Sequence, residues 1–124
     1  MSTPERRGAP RIAKRLPLRL THDEGDLTTK TENISASGAY CTIRRFVPLM
    51  TKLRIRLELL DQSKPASVIC EGVVVRVEPP APAPKRASYK VAIFFSELSD
   101  HSRSLLAQYV QRHRQSVSLR LRPW

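Results

Sequence analysis

From Lys52 to Leu60 the chain sets Leu53, Ile55, Leu57 and Leu59 on one side of a two-residue period and Lys52, Arg54, Arg56 and Glu58 on the other. Only an extended strand keeps such residues on separate faces, and a strand with one apolar face must bury it against other elements. The same period recurs along most of the chain. Leu16 to about His22 and about Thr28 to Ile34 alternate on either side of Asp23-Glu24-Gly25-Asp26, which predicts a hairpin. Gly38 to Arg44 gives a further strand. Phe46-Val47-Pro48-Leu49 then reads as a loop, because proline cannot donate to a central ladder. Beyond a polar turn from Asp61 to Pro65, the stretch from Ser67 to Val77 holds Val68, Ile69, Val73, Val74, Val75 and Val77, β-branched residues that suit a pleated surface. Gly72 within it marks a bulge or bend. The run of prolines and alanines over 79–84 is an extended loop, and Tyr89 to Phe95 is the last long strand.

At Leu98 the period changes. Leu98, Leu105, Leu106, Tyr109 and Val110 recur at helical spacing to about His113, behind Ser99 or Asp100 as N-cap. Six strands and one terminal helix predict an all-β domain, a closed six-stranded antiparallel barrel capped by a C-terminal α-helix. A chain of 124 residues holds one such domain and leaves no room for a second. Residues 1–15 carry Pro4, Gly8, Pro10 and much positive charge without periodicity, so they are expected to form a mobile basic arm. The barrel and helix are expected over residues 16–115. Residues 116–124 are left as a basic tail ending on Trp124, an edge strand, a docking segment or a disordered end.

Charge narrows the partner. The chain has 22 Lys and Arg against 11 Asp and Glu, a formal +11, which calls for an anion: a nucleotide, a nucleic acid, an acidic protein surface or an anionic membrane. Arg6, Arg7, Arg11, Lys14, Arg15 and Arg19 crowd the start, opposed there by Glu5 alone. No apolar run approaches a membrane-spanning length and no secretory signal opens the chain, so a cytoplasmic protein is expected. Cys41 and Cys70 sit in apolar strands far from any CxxC spacing and read as buried free thiols. His22, His101 and His113 have no metal-site spacing. With no nucleophile beside a base and no carboxylate pair, neither catalysis nor a cofactor or metal is expected.

Two short segments stand out against this background. Arg6-Arg7-Gly8-Ala9-Pro10-Arg11 offers guanidinium forks that fit phosphate oxygens or the O6/N7 edge of guanine bidentately. Asn33-Ile34-Ser35-Ala36-Ser37-Gly38 sets an amide, a hydroxyl and a glycine at a tight corner where backbone approaches closely. Alone, the first reads as a solvated basic arm and the second as an ordinary turn. In this order and spacing they resemble the signatures of the PilZ domain family, receptors for the bacterial second messenger cyclic di-GMP. The family's RxxxR run is matched by Arg7 to Arg11, with Arg6 before it and Ile12 after it to open the first strand. Its (D/N)xSxxG run is matched by Asn33, Ser35 and Gly38. A later element is matched in part by Val91-Ala92-Ile93-Phe94-Phe95, with alanine in place of the usual glycine. The likeness spans roughly residues 5–113.

The resemblance implies a helix-capped barrel that binds cyclic di-GMP through Arg6, Arg7, Arg11, Asn33, Ser35 and Gly38. It implies an adaptor that changes conformation on binding and signals to an unidentified protein effector. The residue before RxxxR helps decide in this family between one ligand and an intercalated pair; Arg6 suits the pair, since its guanidinium can stack on a guanine face. Gly38 is expected to serve a positive φ or a close approach, so that Gly38→Val damages binding with only a modest loss of stability. Two alternatives stay open. One is a small basic barrel binding single-stranded nucleic acid, against which stand the 6% aromatic content and the core-like placing of most of Tyr40, Tyr89, Phe94 and Phe95. The other is a degenerate member that binds proteins but no nucleotide, against which stands the intact signature.

Overall fold

The computed structural model describes residues 10–23, 25–61, 65–83, 85 and 88–121. Seven strands precede one helix: β1 (Arg11–Ile12), β2 (Pro17–His22), β3 (Gly25–Ser35), β4 (Gly38–Ile43), β5 (Lys52–Leu59), β6 (Ala66–Glu78), β7 (Tyr89–Glu97) and α1 (Asp100–Leu121). The sheet runs β1-β3-β2-β5-β6-β7-β4, and β4 pairs back onto β3. That last pairing closes β2 to β7 into the expected six-stranded barrel, antiparallel at every junction. Closure leaves the barrel strands without an open edge.

Alternation sets the two faces. In β5 the four apolar residues are buried while Lys52, Arg54 and Arg56 are exposed. Ile55 and Leu57 lose all exposure, as do Ile34, Cys41 and Val68 from the other strands. Burial of each large aliphatic side chain contributes about 1.5–3 kcal/mol. Register shifts between Glu71 and Gly72 and between Val74 and Arg76 bend β6 against β7, the first where Gly72 signals a bulge. Phe94, expected in the core with its aromatic neighbours, faces outward and stays 48% exposed, because it lies between the inward Ile93 and Phe95.

Ser99 caps the helix: its Oγ accepts from the Ser102 N–H at 3.0 Å. Leu106, Tyr109 and Val110 turn inward, and α1 packs on β6, β1 and β3. Tyr109 donates its hydroxyl to the Leu60 carbonyl at 3.2 Å, and Arg112 pairs with Asp61 at 2.6 Å. The helix runs on to Leu121 rather than ending near His113, so the backbone of 116–121 is helical. An edge strand, a docking segment and a disordered end were the alternatives for this tail, and the helix reaches into it because no glycine or proline interrupts the chain between Asp100 and Pro123. Trp124 lies outside the described residues. Among those described, no helix is long and apolar enough to cross a membrane.

The arm boundary at residue 15 also differs. Arg11 and Ile12 pair with Ser35 and Ile34 as β1, and Ile12 is only 6% exposed within the core cluster. Burial of Ile12 and its pairing with Ile34 together hold the segment on the barrel.

Candidate functional site

β1 and β2 lie along the same edge of β3, joined by an irregular stretch over residues 13–16. The register fixes which side chains share a face. Ile12 opposes Ile34 and both point into the core, so Arg11 and its partner Ser35 take the opposite face, and Asn33 joins them two residues along β3. Arg11 donates from a guanidinium nitrogen to the Asn33 Oδ1 at 2.6 Å, across 22 residues of chain. A member of the basic run and a member of the amide-hydroxyl-glycine run are therefore held together by the barrel. The Arg11 guanidinium is exposed and keeps further donors for an anion.

The irregular stretch is anchored by a residue the motifs omit. Thr31 is fully buried, its hydroxyl accepts from the Leu16 N–H at 2.9 Å, and the same hydroxyl donates to the Lys14 carbonyl at 2.5 Å. The Thr31 N–H in turn donates to the Leu16 carbonyl at 2.9 Å. These bonds satisfy the backbone where the ladder is interrupted and so set where Arg11 emerges. In Thr28-Thr29-Lys30-Thr31 the letters alone do not set this threonine apart from its neighbours. Opposite, β3 shifts register against β4 between Thr31 and Asn33, and Glu32 at the irregularity accepts from the Thr42 hydroxyl.

The corner from Ser35 to Gly38 is rigid for identifiable reasons. Ser35 is fully buried, and its Oγ accepts from the Ser37 N–H at 3.1 Å, a side-chain turn that mimics a backbone one. The Ser35 and Ser37 hydroxyls lie 3.1 Å apart, and the Ser37 carbonyl accepts from the Phe95 N–H at 2.9 Å. Gly38 opposes Phe94 in the β4–β7 ladder, and its φ lies outside the left-handed region. A Cβ on Gly38 would stand 2.3 Å from the Ile93 carbonyl oxygen. The close approach that Gly38 permits is thus one of backbone on backbone, and the modest stability cost expected for Gly38→Val does not fit it. Arg6 and Arg7 lie outside the described residues. The two thiols, Cys41 on β4 opposite Thr31 and Cys70 on β6, are chemically quiet: burial, reinforced by the Glu32 carboxylate, pushes Cys41 up to about 12, and burial with the Glu71 charge pushes Cys70 up to about 11.

Comparison with known proteins points the same way. No curated protein matches the chain. Among solved structures, an inhibitor of motility from Bacillus subtilis, MotI/DgrA, superposes with a TM-score of 0.74 at 23% identity, over 87% of this chain and 51% of that one. The chain thus spans about half the length of that protein. The PilZ domain of YcgR from Escherichia coli, solved with cyclic di-GMP, superposes with a TM-score of 0.65 at 10% identity over 93% of this chain and 96% of that one. At these identities the likeness establishes the shared barrel and helix. The PilZ domain family model matches residues 5–112, a span that takes in both short motifs, all seven strands and most of the helix. The chain belongs to the PilZ domain family.

Proposed function

We propose that this protein is a cyclic di-GMP receptor that acts as an adaptor, binding the dinucleotide where β1 meets the Ser35–Gly38 corner and signalling to a protein effector. The observation that carries the reading is the 2.6 Å bond from Arg11 to Asn33, which puts one residue from each signature on a single exposed face. Arg7 and Arg11 take phosphate oxygens and the O6/N7 edge of guanine through their planar forks. Asn33 and the serine corner orient the base and supporting backbone, while Gly38 keeps β4 close against β7. Arg6 stacks on a second guanine, giving an intercalated pair and about two nucleotides per chain at saturation.

Arg11, Asn33 and the serine corner are held by the barrel, and we assign the conformational response to the segment upstream of β1. Ligand draws Arg6 and Arg7 toward Arg11 and changes the surface shown to the effector. The test is calorimetric titration with cyclic di-GMP, with GMP and with a single-stranded oligonucleotide of matched charge. The reading expects saturable binding of the cyclic dinucleotide, a ratio near two that Arg6→Leu lowers toward one, and far weaker binding of the other two. Equal or tighter binding of the oligonucleotide would transfer the function to nucleic acid. No binding of cyclic di-GMP would leave a protein-interaction module.

A further inference from the structure

The outer face of β2, β5 and β6 carries a charge arrangement that neither the fold nor the dinucleotide site uses. Arg19 on β2 and Arg56 on β5 are direct cross-strand partners, both exposed, and Ile69 of β6 continues the same row at 56% exposure. The adjacent row sets exposed Arg54 between Thr21 and Glu71. Like charges placed directly opposite each other across a ladder destabilise it. Arg56 is partly answered by Glu58 on its own strand, Nε to Oε2 at 2.7 Å, and the arginines beside Glu58 help hold its carboxyl below its ordinary value, after the hydrogen bond from Ser67. Among the described residues Arg19 and Arg54 form no close salt bridge, although Arg19 acts on the Glu58 carboxylate and Arg54 lies opposite Glu71. Arg19, Thr21, Arg54, Ile55, Arg56 and Ile69 together line one shallow depression.

We infer that this face is a docking surface for an acidic protein segment that sets an apolar side chain beside its carboxylates. Strand spacing puts Arg19, Arg56 and Ile69 about 4.8 Å apart in successive steps, so two carboxylates can meet the arginines while the apolar group covers Ile69. Association turns the repulsion between Arg19 and Arg56 into attraction for a shared anion. A polyphosphate backbone fits less well, because these rows present no aromatic side chain for base stacking and set the exposed apolar Ile69 beside the arginines. Thr28, the β3 partner of Arg19, is five residues from Asn33, about 16 Å along the strand, which makes this surface separate from the dinucleotide site.

The test uses the full chain and a fluorescent synthetic peptide rich in aspartate and glutamate with a central leucine, against a neutral peptide and a single-stranded oligonucleotide of equal charge. Arg19→Glu with Arg54→Glu should cut affinity for the acidic peptide at least tenfold. Arg44→Glu with Arg45→Glu, the same change in net charge at the exposed end of β4, should cut it less than threefold. Arg19→Glu alone should also melt no lower than the parent, since the new carboxylate would face Arg56 as an opposite charge. Calorimetric binding of cyclic di-GMP should be unchanged in both double variants, so failure here and failure of the receptor reading are distinguishable. Equal losses in the two double variants, or acidic-peptide binding no tighter than the neutral control, would overturn the docking surface. An oligonucleotide that binds tighter than the peptide and depends on Arg19 and Arg54 would overturn it in favour of nucleic acid.

Discussion

Replacing Gly38 by alanine asks what this glycine does. The new Cβ would lie 2.3 Å from the Ile93 carbonyl oxygen, 3.4 Å from the Ile93 carbonyl carbon and 3.5 Å from the Phe94 Cα. An ordinary carbon-to-oxygen contact needs about 3.3 Å, so roughly 1 Å of overlap must be relieved. The obstructing atom is main chain in a paired strand and cannot swing aside as a side-chain end would. Relief therefore widens the β4–β7 ladder at its Gly38–Phe94 pair. Overpacking of this kind costs about 1–3 kcal/mol. The reduced freedom of the unfolded chain returns about 0.4–1 kcal/mol of it. Because the overlap is with main chain, the upper half of that overpacking cost applies, about 2–3 kcal/mol, and the net loss of about 1–2.5 kcal/mol lowers the melting temperature by about 4–10 °C at about 4 °C per kcal/mol. Thermal unfolding followed by circular dichroism at a fixed pH reads this directly, and Gly38→Val should fall further. A melting temperature within about 1 °C of the parent would refute the reasoning, because it would mean that β7 does not lie where the clash requires.

Three further outcomes are expected. Thr31→Val keeps the shape but strands the buried Leu16 N–H and Lys14 carbonyl, so it should cost about 1–3 kcal/mol in denaturant unfolding and weaken cyclic di-GMP binding by loosening the segment that presents Arg11; unchanged stability would show the anchor to be dispensable. Cys41 and Cys70, held near 12 and 11, should resist alkylation by iodoacetamide at about pH 7.5 until denaturant is added, whereas labelling of the folded protein at the rate of a free thiol would contradict their burial. His113 is held below its ordinary 6.5 chiefly by desolvation, then by Lys14, so the unfolded state takes up the proton first; its contribution is complete above 6.5 and is lost as pH falls through the depressed folded value. His113→Gln should flatten that part of the decline in melting temperature between about pH 7.5 and 5.5, and an unchanged slope would exclude His113 as its source.

Much of this architecture was legible because burial on one face imposes a period that propensity alone would not. β5 and β7 could be read from alternation, and β6 from its β-branched run, each within a residue or two of its ends. Composition placed β1 in a mobile arm, because only two residues pair and only Ile12 is apolar, and only the motif pointed to Ile12 as a strand opening; what orders it is non-local, the pairing with Ile34 and the cover of α1. The reach of α1 beyond His113 was not legible, because the inward apolar spacing stops near there while a helix without a breaker propagates on. Of the residues that type and spacing singled out, Arg11, Asn33 and Ser35 are brought together by the register of β1 on β3. Thr31 and Ser37 act through main-chain bonds, which leave little trace in a pattern of polar and apolar letters.

The account rests on Arg11 and Asn33 forming one face of a dinucleotide site, and Arg11 can be altered without touching the core, since its side chain is exposed. Cyclic di-GMP titrated calorimetrically against the parent, Arg11→Ala and Arg11→Lys tests it directly. Charge-assisted hydrogen bonds worth about 1.5–3 kcal/mol each predict a loss of at least tenfold for Arg11→Ala. Arg11→Lys should recover little, because an ammonium restores the charge but not the planar fork. All three proteins should have unfolding free energies within about 1 kcal/mol of one another, as expected for an exposed side-chain pair. Binding by Arg11→Ala as tight as that of the parent would contradict the account.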